Sequence, residues 1–406
     1  MNFFLDGSDR LELACSAWIS NKLLYGIYAE CNAPRRGGKI MPDLALTEEQ
    51  QEFQKLAREF AENELAPKAY ECDQQAKAPE ALLKQLWELG LATTLIPDQF
   101  GGLGLSLLES CVIAEELAAG CSGIYGVVEA NTLAQMIVLA LGTDAHKKKL
   151  LQPLTESPIF AGVDVNLFAS TEKKNDSLKL KDGKVLSGEA VVANGVNADW
   201  FVVSPGGSPR QFFVVSKKSA GVECGATAFS VGRKALPLTS IRLNNVQIAS
   251  DDIFQADQQM LKLLQDQAAC LLASGSLGIA CSAMKNAIQY SKERKTFGVP
   301  IAQHQAVGFM IADMAKDIEA ARLLIYQACA IAGAEQTGLV SAAVARSFAL
   351  DMAMRITTDA VQVYGGYGYS KEYPVEKLMR DAKSYQVYQG SSVDSKVEIG
   401  RQLVHQ

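Results

Sequence analysis

The stretch Asp359-Ala-Val-Gln-Val-Tyr-Gly-Gly-Tyr-Gly-Tyr369 leads into Tyr373-Pro-Val-Glu-Lys-Leu-Met-Arg-Asp-Ala-Lys383 and then Tyr388-Gln-Gly-Ser391. Gly365 and Gly366 lack a Cβ, so backbone there can turn sharply or approach a ligand closely. Taken alone, such a pair reads as a turn. Gln389 is a neutral amide with no basic lone pair at physiological pH, so it cannot act as a general base. Working outward, Ala, Leu and Met recur at helical spacing over 259–291 and 303–334. Long helices are therefore expected from about 256 to 404.

Upstream the texture differs. Thr47 and Gln50 form a capping box opening a helix to about Ala66, where Pro67 is expected to stop it. Pro79 to Leu89 reads as a second helix ended by Gly90. Ser106 and Glu109 open a third, expected to end near Gly120, and Glu129 to Leu141 reads as a fourth. Residues 159–255 carry short β-branched and aromatic runs: Trp200-Phe-Val-Val, Gln211-Phe-Phe-Val-Val and Ser240-Ile-Arg-Leu. Asp182-Gly183 between Leu178-Lys-Leu and Val185-Leu is a hairpin signal. The expected fold class is α+β. Its parts are an irregular extension (1–40), an N-terminal helical domain (41–158), a middle antiparallel β domain (159–255) and a C-terminal four-helix-bundle domain (256–406).

The chain has 406 residues and a net charge of −6, and no basic cluster longer than Lys147-Lys148-Lys149, which argues against nucleic acid as a partner. No run of about 18 apolar residues occurs, so no membrane span is expected. The nine cysteines are scattered and form no C-x-x-C, so neither a disulfide framework nor a metal site is expected. They read as buried apolar thiols in a reducing compartment. The first forty residues contain Asp6, Asp9 and Glu12, unlike an organelle transit peptide.

From Met41 onward the chain resembles the acyl-CoA dehydrogenase family, closest to its medium- and short-chain straight-acyl branch. The C-terminal stretch quoted above carries the resemblance, together with Ser291-Lys-Glu-Arg-Lys-Thr-Phe-Gly298 and His304-Gln305. It implies FAD at a subunit interface, an acyl-CoA thioester as substrate, and oxidation of its CH–CH bond. The flavin takes hydride from the β-carbon, and electrons pass to an electron-transfer flavoprotein. By this resemblance Arg294, Thr296, Phe297 and Gln305, with Gln362, Val363, Gly365 and Gly366, serve the flavin of the neighbouring subunit. An arginine suits a diphosphate because its planar fork binds two oxygens at once. On local pattern alone, Lys292 to Lys295 is a charged helix end with Gly298 as its C-cap.

Against that pattern the chain departs in a particular way. The family's catalytic glutamate falls at Gln389, between Tyr388 and Gly390, which with Asp266 are the implied substrate contacts. The family's Thr-Glu-Pro and Gly-rich turn falls on Val165 to Ser170, with Asn166 for the threonine and Leu167 for the glutamate. Its Trp-Ile-Thr falls within Gly188 to Asn194, without an aromatic or a hydroxyl. The Asp-x-x-Arg of the CoA site reads Asp266 to Ala269, and Ala268 closes an alternative position for the base. The flavin and substrate Gly-Thr reads Gly390-Ser391. Elements that act on a neighbour's flavin are kept, while those that serve the chain's own site are altered. The expectation is an acyl-CoA dehydrogenase-family oxidoreductase, a flavoprotein subunit that lacks its usual base and pairs with itself or with a paralog; the alternatives are a non-catalytic subunit that completes a paralog's FAD site and an acyl-CoA binding paralog. Asp164 is a candidate replacement base. The resemblance implies a cytoplasmic protein, or a matrix one in a eukaryote.

Overall fold

The computed structural model describes residues 45–169, 177–207, 209–334 and 341–404. Residues 1–40, read above as an extension, and Ser170 lie outside them. The first helix, α1, is Glu48–Phe60. Pro67 does not stop the run: a π turn over Ala61–Leu65 and a 3-10 turn over Ala66–Lys68 lead directly into α2 (Ala69–Gln75). Proline lacks only an N–H, and it occupies the opening of the 3-10 turn, where no intrahelical partner is required. The chain changes helical register there and continues.

Helix α3 is Glu80–Glu88, and Gly90 turns the chain at φ +72°. Helix α4 runs from Leu107 to Leu141, with Ser106 and Glu109 forming the expected capping box. The two helices expected here are thus one element. Its single interruption is Cys121, at φ −159° and ψ 105°. Gly120 has a packing role: a Cβ there would lie 2.8 Å from the Ala61 carbonyl oxygen. Short helices α5 (Asp144–Leu150) and α6 (Gln152–Glu156) close the N-terminal region.

The middle region is a sheet of β1 (Phe160–Asp164), β2 (Leu178–Lys181), β3 (Val185–Ala193), β4 (Ala198–Val203), β5 (Arg210–Ser216), β6 (Val222–Thr227), β7 (Leu238–Gln247) and β8 (Ile253–Ala256). The order is β6-β7-β3-β1-β4-β5-β8, with β2 paired to β3. All pairs are antiparallel except β1 with β4. The β2–β3 hairpin turns at Asp182 and Gly183, both at positive φ; Lys181 pairs with Val185 across a three-residue loop, and Lys184 N–H donates to the Lys181 carbonyl at 3.2 Å. Phe201, Phe213, Val215, Ile241, Leu243 and Val246 form its apolar core. Asn131 of α4 ties the helical layer to β1, accepting from Ala161 N–H at 2.7 Å and donating to the Ala92 carbonyl at 2.8 Å.

The C-terminal region is helical: α7 (Gln258–Glu293), a two-residue hairpin β9 (Lys295–Thr296) and β10 (Val299–Pro300), then α8 (Gln305–Gly333), α9 (Ser341–Tyr364), α10 (Val375–Tyr385) and α11 (Ser392–Val404). Helices α4 and α7 are long and apolar enough to cross a membrane by composition. Their apolar windows are 83% and 78% buried inside the protein, as expected of core helices.

One carboxylate pins the three regions together. Asp381 on α10 accepts from the Arg233 N–H at 2.5 Å, the Ser122 hydroxyl at 2.7 Å and Lys377 Nζ at 2.6 Å. Ser122 follows the break in α4, and Arg233 sits at φ +51° just before β7. Burial alone would raise the Asp381 carboxyl; Lys377 and the two hydrogen-bond donors outweigh it and hold it below the ordinary carboxylate range. A depressed carboxyl supplies stability that is complete above its unfolded pKa, roughly 3.9, and is lost as pH falls through the folded value. Asp381→Asn should therefore cost about 3–5 kcal/mol near neutral pH. The gap between wild-type and variant urea midpoints should narrow once the pH drops below about 4. A gap that widened on acidification would contradict this assignment.

Candidate functional site

Gln389 is fully buried, at φ +55°, a left-handed conformation uncommon outside glycine. Its amide closes a clamp on the turn that follows β1. Nε2 donates to the Asp164 carbonyl at 2.8 Å, and Oε1 accepts from the Phe168 N–H at 3.1 Å. Its backbone N–H donates to the Val165 carbonyl at 3.0 Å. Inside the turn, Asp164 Oδ1 accepts from the Asn166 N–H at 2.9 Å. Asp164 is buried under the turn, in the role of a turn cap. Asn166 itself is exposed.

The loop carrying Gln389 is held on its other side by Arg346 of α9. Arg346 Nη2 donates to the carbonyls of Tyr388, Gln389 and Gly390 at 2.9, 2.9 and 3.0 Å. Burial pushes the Arg346 guanidinium down to about 10, against the opposing pull of Asp394 and Glu129. Ser391 and Asp394 cap α11 reciprocally: Ser391 N–H donates to Asp394 Oδ2 at 2.8 Å, and Asp394 N–H donates to Ser391 Oγ at 3.1 Å. Beneath the loop the interior is filled by charge and aromatic rings. Arg233 pairs with Glu129, and its guanidinium lies 3.9 Å from the centre of the Tyr385 ring and 4.9 Å from that of Tyr388. Tyr385 donates to Glu129 at 2.8 Å.

A cavity of about 460 Å³ opens beside this loop. Gln389 and Gly390 form part of its lining, with Asp266 and Ala269 of α7. Asp266 is buried and bonded to Lys262 one turn back, at 2.6 Å, and burial raises its carboxyl although Lys262 opposes the shift. Asp164, Tyr388 and Ser391 are not among the lining residues.

A second cleft, of about 470 Å³, lies at the far end of α7. It joins Arg294 and Thr296 to Val363, Gly365 and Gly366, so the segments 291–298 and 359–369 meet in space. Helix α7 ends before Arg294, and Phe297 and Gly298 form the turn of the β9–β10 hairpin at φ +53° and +85°. Gly298 is thus a hairpin residue, not a helix cap. The Arg294 guanidinium stands 5.6 Å over the Tyr367 ring, and Thr296 Oγ1 lies 2.8 Å from His304 Nε2. Nothing lies within 4 Å of the place a Cβ would take at Gly365 or Gly366. An exposed guanidinium beside two such glycines suits the diphosphate of a dinucleotide. Phe297, Gln305 and Gln362 are exposed nearby but do not line the cleft.

Family models describe two parts of this chain: an acyl-CoA dehydrogenase N-terminal domain over residues 47–157 and a C-terminal domain over 259–403. The chain is 34% identical over 378 residues to a probable acyl-CoA dehydrogenase, FadE25, of Mycobacterium tuberculosis, covering 88% of this chain and 96% of that one. The Mycobacterium leprae protein is 32% identical over 387 residues, covering 91% and 98%. Butyryl-CoA dehydrogenase from Megasphaera elsdenii superposes with a TM-score of 0.82 at 31% identity, covering 89% of this chain and 99% of that one. This chain belongs to the acyl-CoA dehydrogenase family of flavoprotein oxidoreductases.

Sequence reading missed Arg210, Arg346, Arg233 and Tyr367. Arg210 begins β5 directly before the apolar run read from Gln211, and Arg346 lies in the Ala-rich first turns of α9. A charge on an otherwise apolar face was the available signal in both cases.

The Gln389 clamp is testable through its one-atom change. In Gln389→Glu the carboxylate keeps the bond from Phe168 N–H but faces the Asp164 carbonyl with no proton to give. The cost should be about 1–3 kcal/mol. Burial and the facing carbonyl raise that carboxyl in the folded state above its unfolded value of roughly 4.3, so the deficit is small in acid and grows as pH rises. Melting temperatures at pH 4.5 and pH 8 measure it. Equal deficits at the two pH values would show that the donated proton does not matter.

Proposed function

We propose that this chain is a subunit of an FAD-dependent acyl-CoA oxidoreductase in which it does not remove the α-proton itself. Its Arg294 cleft completes the flavin site of a neighbouring chain, a competent paralog. The observation that carries the reading is the Gln389 amide, whose donor and acceptor are both committed to backbone inside a buried turn. An amide is not basic at physiological pH, and Asp164, capping its own turn, is not among the residues that line the cavity.

In this reading Arg294 and the backbone at Gly365 and Gly366 hold the diphosphate of the flavin. The bound flavin supplies a two-electron acceptor for the acyl β-carbon, and reduced flavin is reoxidised by an electron-transfer flavoprotein. The chain's own β-sheet face offers less. Val191 points outward from β3, and Asn194 spends its side chain on the Ala161 carbonyl and on Asn197. An acyl-CoA thioester enters the cavity lined by Asp266 and Gly390. The described cysteines are free thiols, which fits a reducing, cytoplasmic setting.

Two outcomes follow. Loss of a positioned base typically lowers rates about 10²–10⁴-fold, so the purified chain alone should dehydrogenate saturated acyl-CoAs at or below that fraction of a base-bearing relative's rate. Robust turnover that survives Gln389→Ala would place the chemistry on another residue. Separately, Arg294→Ala should leave the melting temperature unchanged while weakening flavin retention in the complex with the paralog by about ten- to a hundredfold. The readout is flavin per complex after gel filtration. Unchanged flavin in the mutant complex, or a homomer of this chain carrying one tight FAD per subunit, would return it to the independent-enzyme reading.

A further inference from the structure

The cavity beside Gln389 is bordered by a buried cation whose hydrogen bonds are only partly made. Arg210, at the start of β5, is 3% exposed. Its Nη1 donates to the Leu167 carbonyl at 3.1 Å, while Nε and Nη2 have no hydrogen-bond partner among the described residues. Those two nitrogens share one edge of the guanidinium, and their parallel N–H groups match the two oxygens of a carboxylate. Asp164, the nearest counter-charge acting on Arg210, is engaged with the Asn166 N–H, and burial lowers the guanidinium's proton affinity despite it. Arg346 borders the same cavity, and its Nε also lacks a partner. Lys262 and Arg401 also line the cavity, and Lys262 is bonded to Asp266. The lining is mixed: Phe168, Ala169, Leu261 and Ala269 supply apolar wall, and the carboxylates Asp257, Asp266, Asp394 and Glu398 also border the cavity, Asp266 held by Lys262.

Burying two N–H groups of a guanidinium without an acceptor is costly. The arrangement makes physical sense when an anion of matching shape completes it. We propose that this cavity binds an aliphatic carboxylate, with the carboxyl group seated on the Nε–Nη2 edge of Arg210 and the carbon chain against the apolar wall. The inference rests on the preceding reading only in placing an acyl thioester in this cavity; there it assigns the substrate class as an acyl group that ends in a carboxylate. A free aliphatic acid shares that chemistry and needs no thioester.

Isothermal titration of the full chain, without flavin, separates the sources. The probes are succinyl-CoA against butyryl-CoA, and succinate and butyrate as free acids. The wild-type chain should bind succinyl-CoA about ten- to a hundredfold tighter than butyryl-CoA. Arg210→Met should erase that preference and Arg210→Lys should retain part of it. A preference for the carboxyl-bearing thioester assigns the thioester. Binding of the free acids alone, lost in Arg210→Met, assigns the free acid. Circular dichroism and melting control for folding, because Arg210→Met also removes the Nη1 bond to the Leu167 carbonyl. Equal affinities of the two thioesters with no binding of the free acids, or any preference that persists in Arg210→Met, overturns the proposal. Neither result bears on flavin retention through Arg294, so the two readings fail separately.

Discussion

A side-chain amide offers a donor and an acceptor on one planar group, whereas a carboxylate at neutral pH offers acceptors only. The turn after β1 presents the complement of an amide: the Asp164 carbonyl and the Phe168 N–H, both turned toward residue 389. Much of the cavity's architecture hangs on that match. The clamp fixes the end of β1, the position of Phe168 and Ala169 on the cavity wall, and the left-handed bend at Gln389 that carries the chain on to Gly390. Arg346 holds the same bend from behind through three successive carbonyls. Local strain of this kind persists only where surrounding contacts over-determine it, and here a side-chain amide and a guanidinium do so from opposite ends of the peptide groups.

The interior next to the clamp is built around charge. A Cβ at Gly126 would lie 2.8 Å from Arg233 Nη2, and one at Gly275 would lie 2.3 Å from the Tyr385 hydroxyl. These glycines make room on α4 and α7 for the Glu129–Arg233–Tyr385 cluster. Burying an ion pair returns little net stability, because desolvation offsets the attraction, but a half-broken pair is severely penalised. Such a cluster therefore fixes one arrangement of the helices and the β7 approach more than it strengthens the fold. Asp381 works in the same direction, reaching the break in α4 and the backbone of Arg233 at once.

What the sequence made legible was local. The Ser106 capping box and the Asp182-Gly183 hairpin both formed where expected, because each is written in residues close together in the chain. The failures came where distant chain decides. Pro67 and Gly120 look like terminators, yet one opens a 3-10 turn and the other makes room for Ala61. Gly298 reads as a cap until the β9–β10 pairing is visible. Arg294, Thr296, Gly365 and Gly366 were nameable because their motifs are contiguous. Arg210 and Arg346 were not, because their meaning lies in what fails to reach them across the fold.

Helix α9 relates the two clefts. Arg346 lies near its start, bordering the cavity by Gln389, and Val363 lies near its end, lining the cleft with Arg294. At 1.5 Å per residue those positions are roughly 25 Å apart along a single helix. The two recognition surfaces therefore share a scaffold without sharing contacts. The Gln389 region depends on β1 and the α9 start; the Arg294 region depends on the α7 end, the small hairpin and a stack in which Tyr290 and Tyr364 lie 4.0 Å apart. Substitutions separated this far, with no common partner, act nearly additively. One surface can thus lose a proton acceptor while the other keeps its guanidinium and glycines, and the fold imposes no coupling that would force the two to change together.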